Sequence, residues 1–206
     1  MSGISIDNLP AQKVAIGKQS RLRFLIPLAM IVAIALVACG SSASPITNAF
    51  NDGSSTDSGD LATDFSIIMF QGQDVVGGQE VNLRSLVGEK PIVLNFWAGL
   101  CPPCRAEMPD LQAFHEEFQD RVLMLGIDIG QFTRLGSQED AKNLLEELEV
   151  TYPAGFTKDS NIIRDYRVLG MPTTVFIDSQ GKIFDLWTGA LNGQILEQKT
   201  LEMLNQ

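Results

Sequence analysis

NFWAGLCPPCRAEMP, residues 95–109, carries an apolar strand into a Cys-x-x-Cys that opens a helix. The run Ile92 to Trp97 is short, β-branched at its start and preceded by Pro91, which is the signature of a buried strand. A helix beginning at the first cysteine places Pro102 and Pro103 in its first turn, where backbone N–H groups have no intrahelical partner and their loss matters little. Cys101 then becomes the helix N-cap. A thiol there sits at the positive end of the helix dipole, which favours thiolate over thiol and makes Cys101 the candidate nucleophile. Cys104, one turn in, is the candidate resolving thiol. Pro109 lies deeper and removes the bond its N–H would give to the Arg105 carbonyl, so a kink is predicted there.

At 206 residues the chain has room for a leader and one domain with a substantial core. Three cysteines are too few for a disulfide scaffold. A basic start (Lys13, Lys18, Arg21, Arg23) leads into the apolar run Phe24 to Val37, which is broken by Pro27, too short for a comfortable membrane span, and suited to a signal-peptide core. The run ends in Leu36-Val37-Ala38-Cys39, which resembles a bacterial lipobox. That resemblance implies that residues 1–38 are a lipoprotein signal peptide and that Cys39 carries lipid; an uncleaved anchor with an incidental cysteine is the alternative. Either arrangement holds the chain at the extracytoplasmic face of a bacterial membrane, where disulfide chemistry is thermodynamically meaningful. Residues 39–61, rich in Ser, Gly, Asn, Asp and Ala, read as a flexible tether, and residues 62–206 as the domain. After Cys39 there remain 11 Lys and Arg against 24 Asp and Glu, a net charge of −13. So acidic a surface argues against a nucleic-acid partner and against docking on anionic lipid.

Along the domain, Asp64 to Phe70 and Gln79 to Leu83 are two β-like runs around a Gly- and Gln-rich break, which predicts an N-terminal hairpin. Leu83 to Leu86 reads as one helical turn. After the strand Ile92 to Trp97 comes a helix from Cys101 to about Phe118, with Leu111, Phe114 and Phe118 at helical spacing, and then a strand between Arg121 and Ile129. Strand, helix and strand with no hairpin turn imply a right-handed parallel crossover. Ser137 and Asp140 form a capping-box pattern ahead of a stripe of Leu144, Leu145 and Leu148. Tyr152 to Phe156 is short and extended, and a small helix spans Asn161 to Tyr166. Thr173 to Ile177 and Lys182 to Trp187 form an antiparallel pair across the turn Asp178-Ser179-Gln180-Gly181. Asn192 caps a last helix expected to face inward through Ile195, Leu196, Leu201 and Leu204.

Three separated motifs together resemble the thioredoxin superfamily, and within it the TlpA/ResA-like membrane-anchored thiol-disulfide oxidoreductases: Asn95-Phe96-Trp97-Ala98 with Cys101-Pro102-Pro103-Cys104, then Glu107-Met108-Pro109, and Gly170-Met171-Pro172-Thr173 before a strand. The resemblance covers about residues 62–206. It implies an α/β thioredoxin-like fold, a central mixed β-sheet flanked by helices with an extra N-terminal β-hairpin. It also implies a redox-active disulfide between Cys101 and Cys104 that is itself the redox centre, with no cofactor and no metal. Met171-Pro172 is implied to be a cis peptide packed against the pair, where Met171 offers backbone to an extended substrate. Glu107 matches a glutamate that this group uses close to its thiols, disfavouring the thiolate by like charge and exchanging a proton with Cys104. A solvated helix glutamate is the alternative. Asn95 stands where thioredoxins proper carry a buried aspartate. Trp97, Pro102 and Pro103 complete the candidate substrate-contact residues, Trp97 with an equal claim to a core role. Gly99-Leu100 departs from the group, which usually has an aromatic residue before the first cysteine.

The expected activity is reduction of protein disulfides outside the cytoplasm, including apocytochrome c cysteines before haem attachment. The partners implied are cysteine-containing proteins and a membrane thiol-disulfide electron carrier. With Pro102 and Pro103 lacking N–H groups, the Cys101 thiolate has few donors. This predicts a potential nearer thioredoxin, about −270 mV, than DsbA, about −120 mV. The same fold acting as a disulfide-forming oxidase is the alternative. A metal-binding chaperone is disfavoured because such carriers use Cys-x-x-x-Cys and a distant histidine, whereas the only histidine here is His115, expected to be solvated. A thiol peroxidase would need a Thr about four residues before its cysteine in a Pro-rich loop, and Trp97-Ala98-Gly99-Leu100 supplies none.

Overall fold

The computed structural model describes residues 60–206, so the leader, Cys39 and the tether up to residue 59 lie outside the described residues. Seven strands form one sheet in the order β2-β1-β5-β4-β3-β6-β7. Strand β3 (Ile92–Trp97) is buried at every position. It pairs in parallel with β4 (Leu123–Asp128) and antiparallel with β6 (Thr173–Ile177). Strand β5 (Ala154–Phe156) lies parallel to β4, and β7 (Ile183–Thr188) closes one edge antiparallel to β6. At the other edge β1 (Ser66–Gln71) and β2 (Glu80–Asn82) are antiparallel to each other, and β1 is antiparallel to β5. This is the expected mixed sheet with an N-terminal hairpin.

Alternation along β3 builds two cores. Val93 and Trp97 face helices α3 (Pro102–Phe118), α5 (Gln138–Glu147) and α7 (Gly193–Leu204), with Met108, Leu111, Leu144, Leu196 and Met203 buried against them. Ile92, Leu94 and Phe96 face the other way, onto Phe65, Ile67, Ile162 and Tyr166. Both α5 and α7 start as their sequences require: Ser137 and Asp140 cap each other reciprocally, and Asn192 Oδ1 accepts from the Ile195 amide at 2.9 Å. Helix α3 runs through Pro109 without a break. The helix continues beyond it to Phe118.

Several details differ from the sequence reading. The break between β1 and β2 holds a short helix, α1 (Gln73–Val76), flanked by Gly72 and Gly77 in the left-handed conformation. After α2 (Leu83–Leu86), the next unforeseen turn is α4 (Gly130–Thr133), which shortens the strand expected to reach Ile129; α6 (Ile162–Asp165) lies where expected. In α7 the fully buried stripe is Leu196, Thr200 and Met203, while Ile195, Leu201 and Leu204 flank it half-buried. Met203 and Thr200 complete an i, i+4, i+7 row that an all-aliphatic template passes over.

The chain joins the domain at the pole remote from the cysteines. The Asp60 carbonyl accepts from the Ile183 amide, the Ala62 amide donates to Gly181, and Leu61 bridges Lys182. Asp60 and Leu61, counted with the tether, are therefore part of the folded domain. Strand register places Ile92 beside Ile177 at this pole and Phe96 beside Thr173 at the other. No helix among the described residues is long and apolar enough to cross a membrane.

Gly155, in the middle of β5, lets β1 approach: a Cβ there would run into the Ile68 carbonyl and lie 3.0 Å from Met69 Cα. Gly155→Ala is expected to destabilise the domain by about 2 kcal/mol, read as a lower urea midpoint. An unchanged midpoint would show that the β1–β5 pairing yields freely.

Candidate redox site

At the upper pole β3 ends in Trp97, and Ala98-Gly99-Leu100 turns the chain into α3. Cys101 is the N-cap in an extended conformation, and Pro102 and Pro103 fill the first two helical positions with their rings exposed. Cys101 and Cys104 are joined as a disulfide. The Cys104 amide donates to Cys101 Sγ at 3.3 Å, while the Arg105 amide is committed to the Cys101 carbonyl at 3.0 Å. The cap sulfur therefore has a single backbone donor. Cys101 is 2% exposed and Cys104 is fully buried.

The turn ahead of Cys101 is held from outside the motif. The Cys101 amide bonds Ala98 O at 3.1 Å, and the Leu100 amide bonds Leu135 O at 2.7 Å. Gly99 lies so close to the start of α5 that a Cβ would sit 2.5 Å from Ala141 N. Gly99 admits no side chain, whereas Leu100, where the group usually has an aromatic residue, is an aliphatic side chain 60% exposed, and nothing in the structure explains its choice.

Pro172 is brought to the same pole. The Met171–Pro172 peptide is cis, Thr173 lies opposite Phe96, and the Gly189 amide donates to the Pro172 carbonyl at 2.9 Å. Met171 is half-buried and packs on both cores, and Leu169 beside it is 90% exposed.

Glu107 lies one turn below Cys104 on the buried face of α3. Its Oε1 accepts from Asn95 Nδ2 at 2.8 Å and its Oε2 from the Leu191 amide at 2.9 Å, while Asn95 also donates to Thr174 Oγ1 at 3.0 Å. The solvated alternative is thereby removed. Burial pushes the carboxyl up to about 7, against the two hydrogen bonds, which favour its charge. Tyr152, fully buried, has its phenol raised above the ordinary value by burial and then by the Glu107 charge.

Two expectations need correction. Trp97 has no exposed surface and cannot line the substrate rim of this form; its indole Nε1 and the Tyr152 ring meet over Gly126, whose missing Cβ leaves them room. It is a platform behind the disulfide. His115 is half-buried rather than solvated: its ring stands edge-on to Tyr152, and burial lowers its affinity for a proton. Among the described residues no three His, Cys, Asp or Glu side chains converge as a metal site.

Sequence reasoning passed over Asp128, the last residue of β4 and a neighbour of Trp97 in the parallel register. It is fully buried, and burial pushes it up to about 6, against stabilising amides from Gly130 and Gly99. The available signal was an acid closing an otherwise apolar strand, Leu-Met-Leu-Gly-Ile-Asp.

The AhpC/TSA family pattern matches residues 58–185. The chain belongs to this thioredoxin-like family. Over 139 residues it is 33% identical to the thiol-disulfide oxidoreductase ResA of Oceanobacillus iheyensis, covering 68% of this chain and 69% of that protein. Among solved structures it resembles a protein assigned as thiol:disulfide interchange protein DsbE from Chlorobium tepidum, at 26% identity and TM-score 0.60, over 71% of this chain and 96% of that one. It also resembles the exposed lipoprotein thioredoxin Etrx1 of Streptococcus pneumoniae, at 26% identity and TM-score 0.58, over 68% and 99%. This AhpC/TSA member is a thiol-disulfide oxidoreductase of the ResA/DsbE type.

Glu107 also links the site to stability. Its folded value, about 7, lies above the ordinary 4.5, so the folded state binds the proton more tightly; that contribution is full below pH 4.5 and is lost as pH rises through 7. In the oxidised protein Glu107→Gln is expected to abolish a loss of roughly 3 kcal/mol of stability that the native protein shows between pH 4 and pH 8, on top of a pH-independent cost of about 1–3 kcal/mol for the donor, Asn95 Nδ2 or the Leu191 amide, left facing an NH2 group. Urea unfolding at the two pH values checks this, and an equal effect at both would contradict it.

Proposed function

We propose that this chain reduces protein disulfides outside the cytoplasm, anchored by lipid on Cys39, and that its substrates include the cysteine pair of apocytochrome c. The observation that carries the reducing direction is the cap of α3: two prolines without N–H groups, and an Arg105 amide already used by the Cys101 carbonyl, leave one amide for the sulfur. Weak stabilisation of the thiolate makes the reduced pair a willing donor, because strong oxidants of this fold are those whose reduced form is stabilised.

In the proposed cycle the Cys101 thiolate attacks one sulfur of the substrate disulfide, forming a mixed disulfide and expelling a substrate thiolate, which takes up a proton. Cys104, giving its proton toward Glu107, attacks Cys101 Sγ; the second substrate thiol leaves, and the Cys101–Cys104 disulfide remains. Two electrons pass from the pair to the substrate. A membrane thiol-disulfide carrier returns them by the same steps in reverse. Met171, next to Pro172, offers backbone for strand-like pairing with the substrate, and exposed Pro102 and Pro103 border the disulfide. Anchoring at Cys39 is supported by the lipobox-like sequence and by likeness to a relative described as an exposed lipoprotein. Attachment through Asp60 and Leu61, at the pole away from the thiols, leaves the disulfide free to meet partners.

Cys104→Ala is expected to trap substrates as mixed disulfides on Cys101, identified by mass spectrometry, among them proteins with haem-attachment cysteines. Equilibration with glutathione is expected to give a potential within a few tens of millivolts of about −270 mV. A potential near −120 mV would reverse the proposed direction and make the pair a disulfide donor.

A further inference from the structure

A sheet has two edges, and each presents unpaired N–H and C=O groups to which another strand can add. The two edges of this sheet are built differently. Strand β2 is three residues long, too short to template much pairing. Strand β7 is six residues long and carries Ile183, Phe184, Leu186 and Trp187, side chains that favour extended backbone. A long edge of this composition invites a second strand unless something closes it.

The closure comes in three parts. At the start of β7 the chain entering the domain lies along the edge: the Ile183 amide donates to the Asp60 carbonyl at 2.9 Å, the Ala62 amide donates to the Gly181 carbonyl at 2.9 Å, and Leu61 bridges Lys182 antiparallel. Next, Ile183 lies opposite Ile177 and Asp185 opposite Phe176, so Phe184 is an extra residue that interrupts the ladder. Beyond it the Gly189 amide donates to the Pro172 carbonyl at 2.9 Å, and because inward and outward residues alternate in an antiparallel pair, Leu186 and Thr188 turn their backbone groups away from β6. The outward Leu186 amide is nevertheless occupied. It donates to Asp185 Oδ1 at 2.7 Å. The other oxygen of that carboxylate accepts from Lys199 on α7, whose ammonium lies 5.3 Å from the centroid of the Trp187 ring. One side chain, fixed from α7, thus covers the half of the edge that the entering chain leaves open.

We propose that Asp185, held by Lys199, closes the β7 edge to a second copy of this chain and so keeps the protein monomeric. The occupant follows from the symmetry of the edge itself. Two β7 strands running antiparallel about a twofold axis would exchange bonds through Leu186 and Thr188, the rungs that β6 leaves outward, and two seven-stranded sheets would join into one. With Asp185 in place, that pairing would have to break the Leu186 bond and bring two carboxylates of like charge toward each other. The open half of β7 ends beside Pro172, so the closure also keeps a second domain away from the pole that carries the disulfide.

The test compares full chains in the same mild detergent, which accommodates the apolar run of the leader, at high salt to screen net charge. Asp185→Ala is combined with Lys199→Met so that no half-buried ammonium is stranded, and Asp185→Asn with Lys199→Met keeps an oxygen acceptor for the Leu186 amide. Sedimentation is expected to show the native chain and the Asn variant as monomers, and the Ala variant as a dimer that forms with rising concentration. Amide hydrogen exchange at Leu186 is expected to be about tenfold faster in the dilute Ala variant than in the native chain, and to slow again in its dimer. An Ala variant that stays monomeric at every concentration would overturn the proposal, as would a native dimer with the β7 edge protected, an Asn variant that associates as strongly as the Ala variant, or a dimer whose Leu186 amide still exchanges freely.

Discussion

The Glu107 carboxyl joins the parts of the site that come from distant stretches of chain. It takes one hydrogen bond from Asn95 on β3 and another from the Leu191 amide ahead of α7, and Asn95 hands a further bond to Thr174 on β6. Two strands, the redox helix and the β7–α7 connection are thus held by one buried polar chain. The Asn95 and Leu191 donors of this chain are all used, while the Asn95 Oδ1 acceptor has no hydrogen-bond partner among the described residues and bears the desolvation penalty of the interior. Burial raises the carboxyl to about 7, so near neutral pH it is present in both protonation states, one turn below Cys104. The group that ties the elements together is therefore also able to take and return the proton of the resolving thiol.

The N-cap of α3 sets a second constraint, from the opposite side of the disulfide. A helix N-terminus normally turns several free amides toward whatever sits there. Pro102 and Pro103 remove two of them and the Cys101 carbonyl takes the Arg105 amide, so the dipole remains while the specific donors are reduced to Cys104. The nearby titrating acid works in the same sense, since a carboxylate disfavours a neighbouring thiolate. Sparse donors at Cys101 and a buried acid below Cys104 both leave the dithiol form poorly stabilised as thiolate, in keeping with the reducing direction proposed above.

Much of this was legible in the sequence because it is local. The strand into Cys101, the two prolines, the capping box of Ser137 and Asp140, and the turn after Ile177 each depend on residues a few positions apart. The sheet edges followed from alternation to within a residue or two. What was not legible depends on partners far along the chain. Trp97 reads as a rim aromatic until Tyr152 and Gly126 are seen to enclose it, and His115 reads as solvated until Tyr152 is found against it. Asp128 looks like an ordinary strand-ending acid. Only the fold buries it, against the Gly130 amide.

The same long-range contacts explain why the departure at Gly99-Leu100 leaves the site intact. A side chain at Gly99 would collide with the backbone of Asp140 and Ala141, so the approach of α5 requires glycine there. Leu100 is then fixed through its amide to Leu135 O, and Gly136 lies close enough that its Cβ would come 3.2 Å from Leu100 N. The segment from Leu135 to Ala141 consequently acts on the redox motif twice: Leu135 O holds the turn that leads to Cys101 through the Leu100 amide, and the start of α5 requires glycine at 99. The turn before Cys101 and the exposed Leu100 beside it are thus shaped by a stretch of chain that contains neither cysteine.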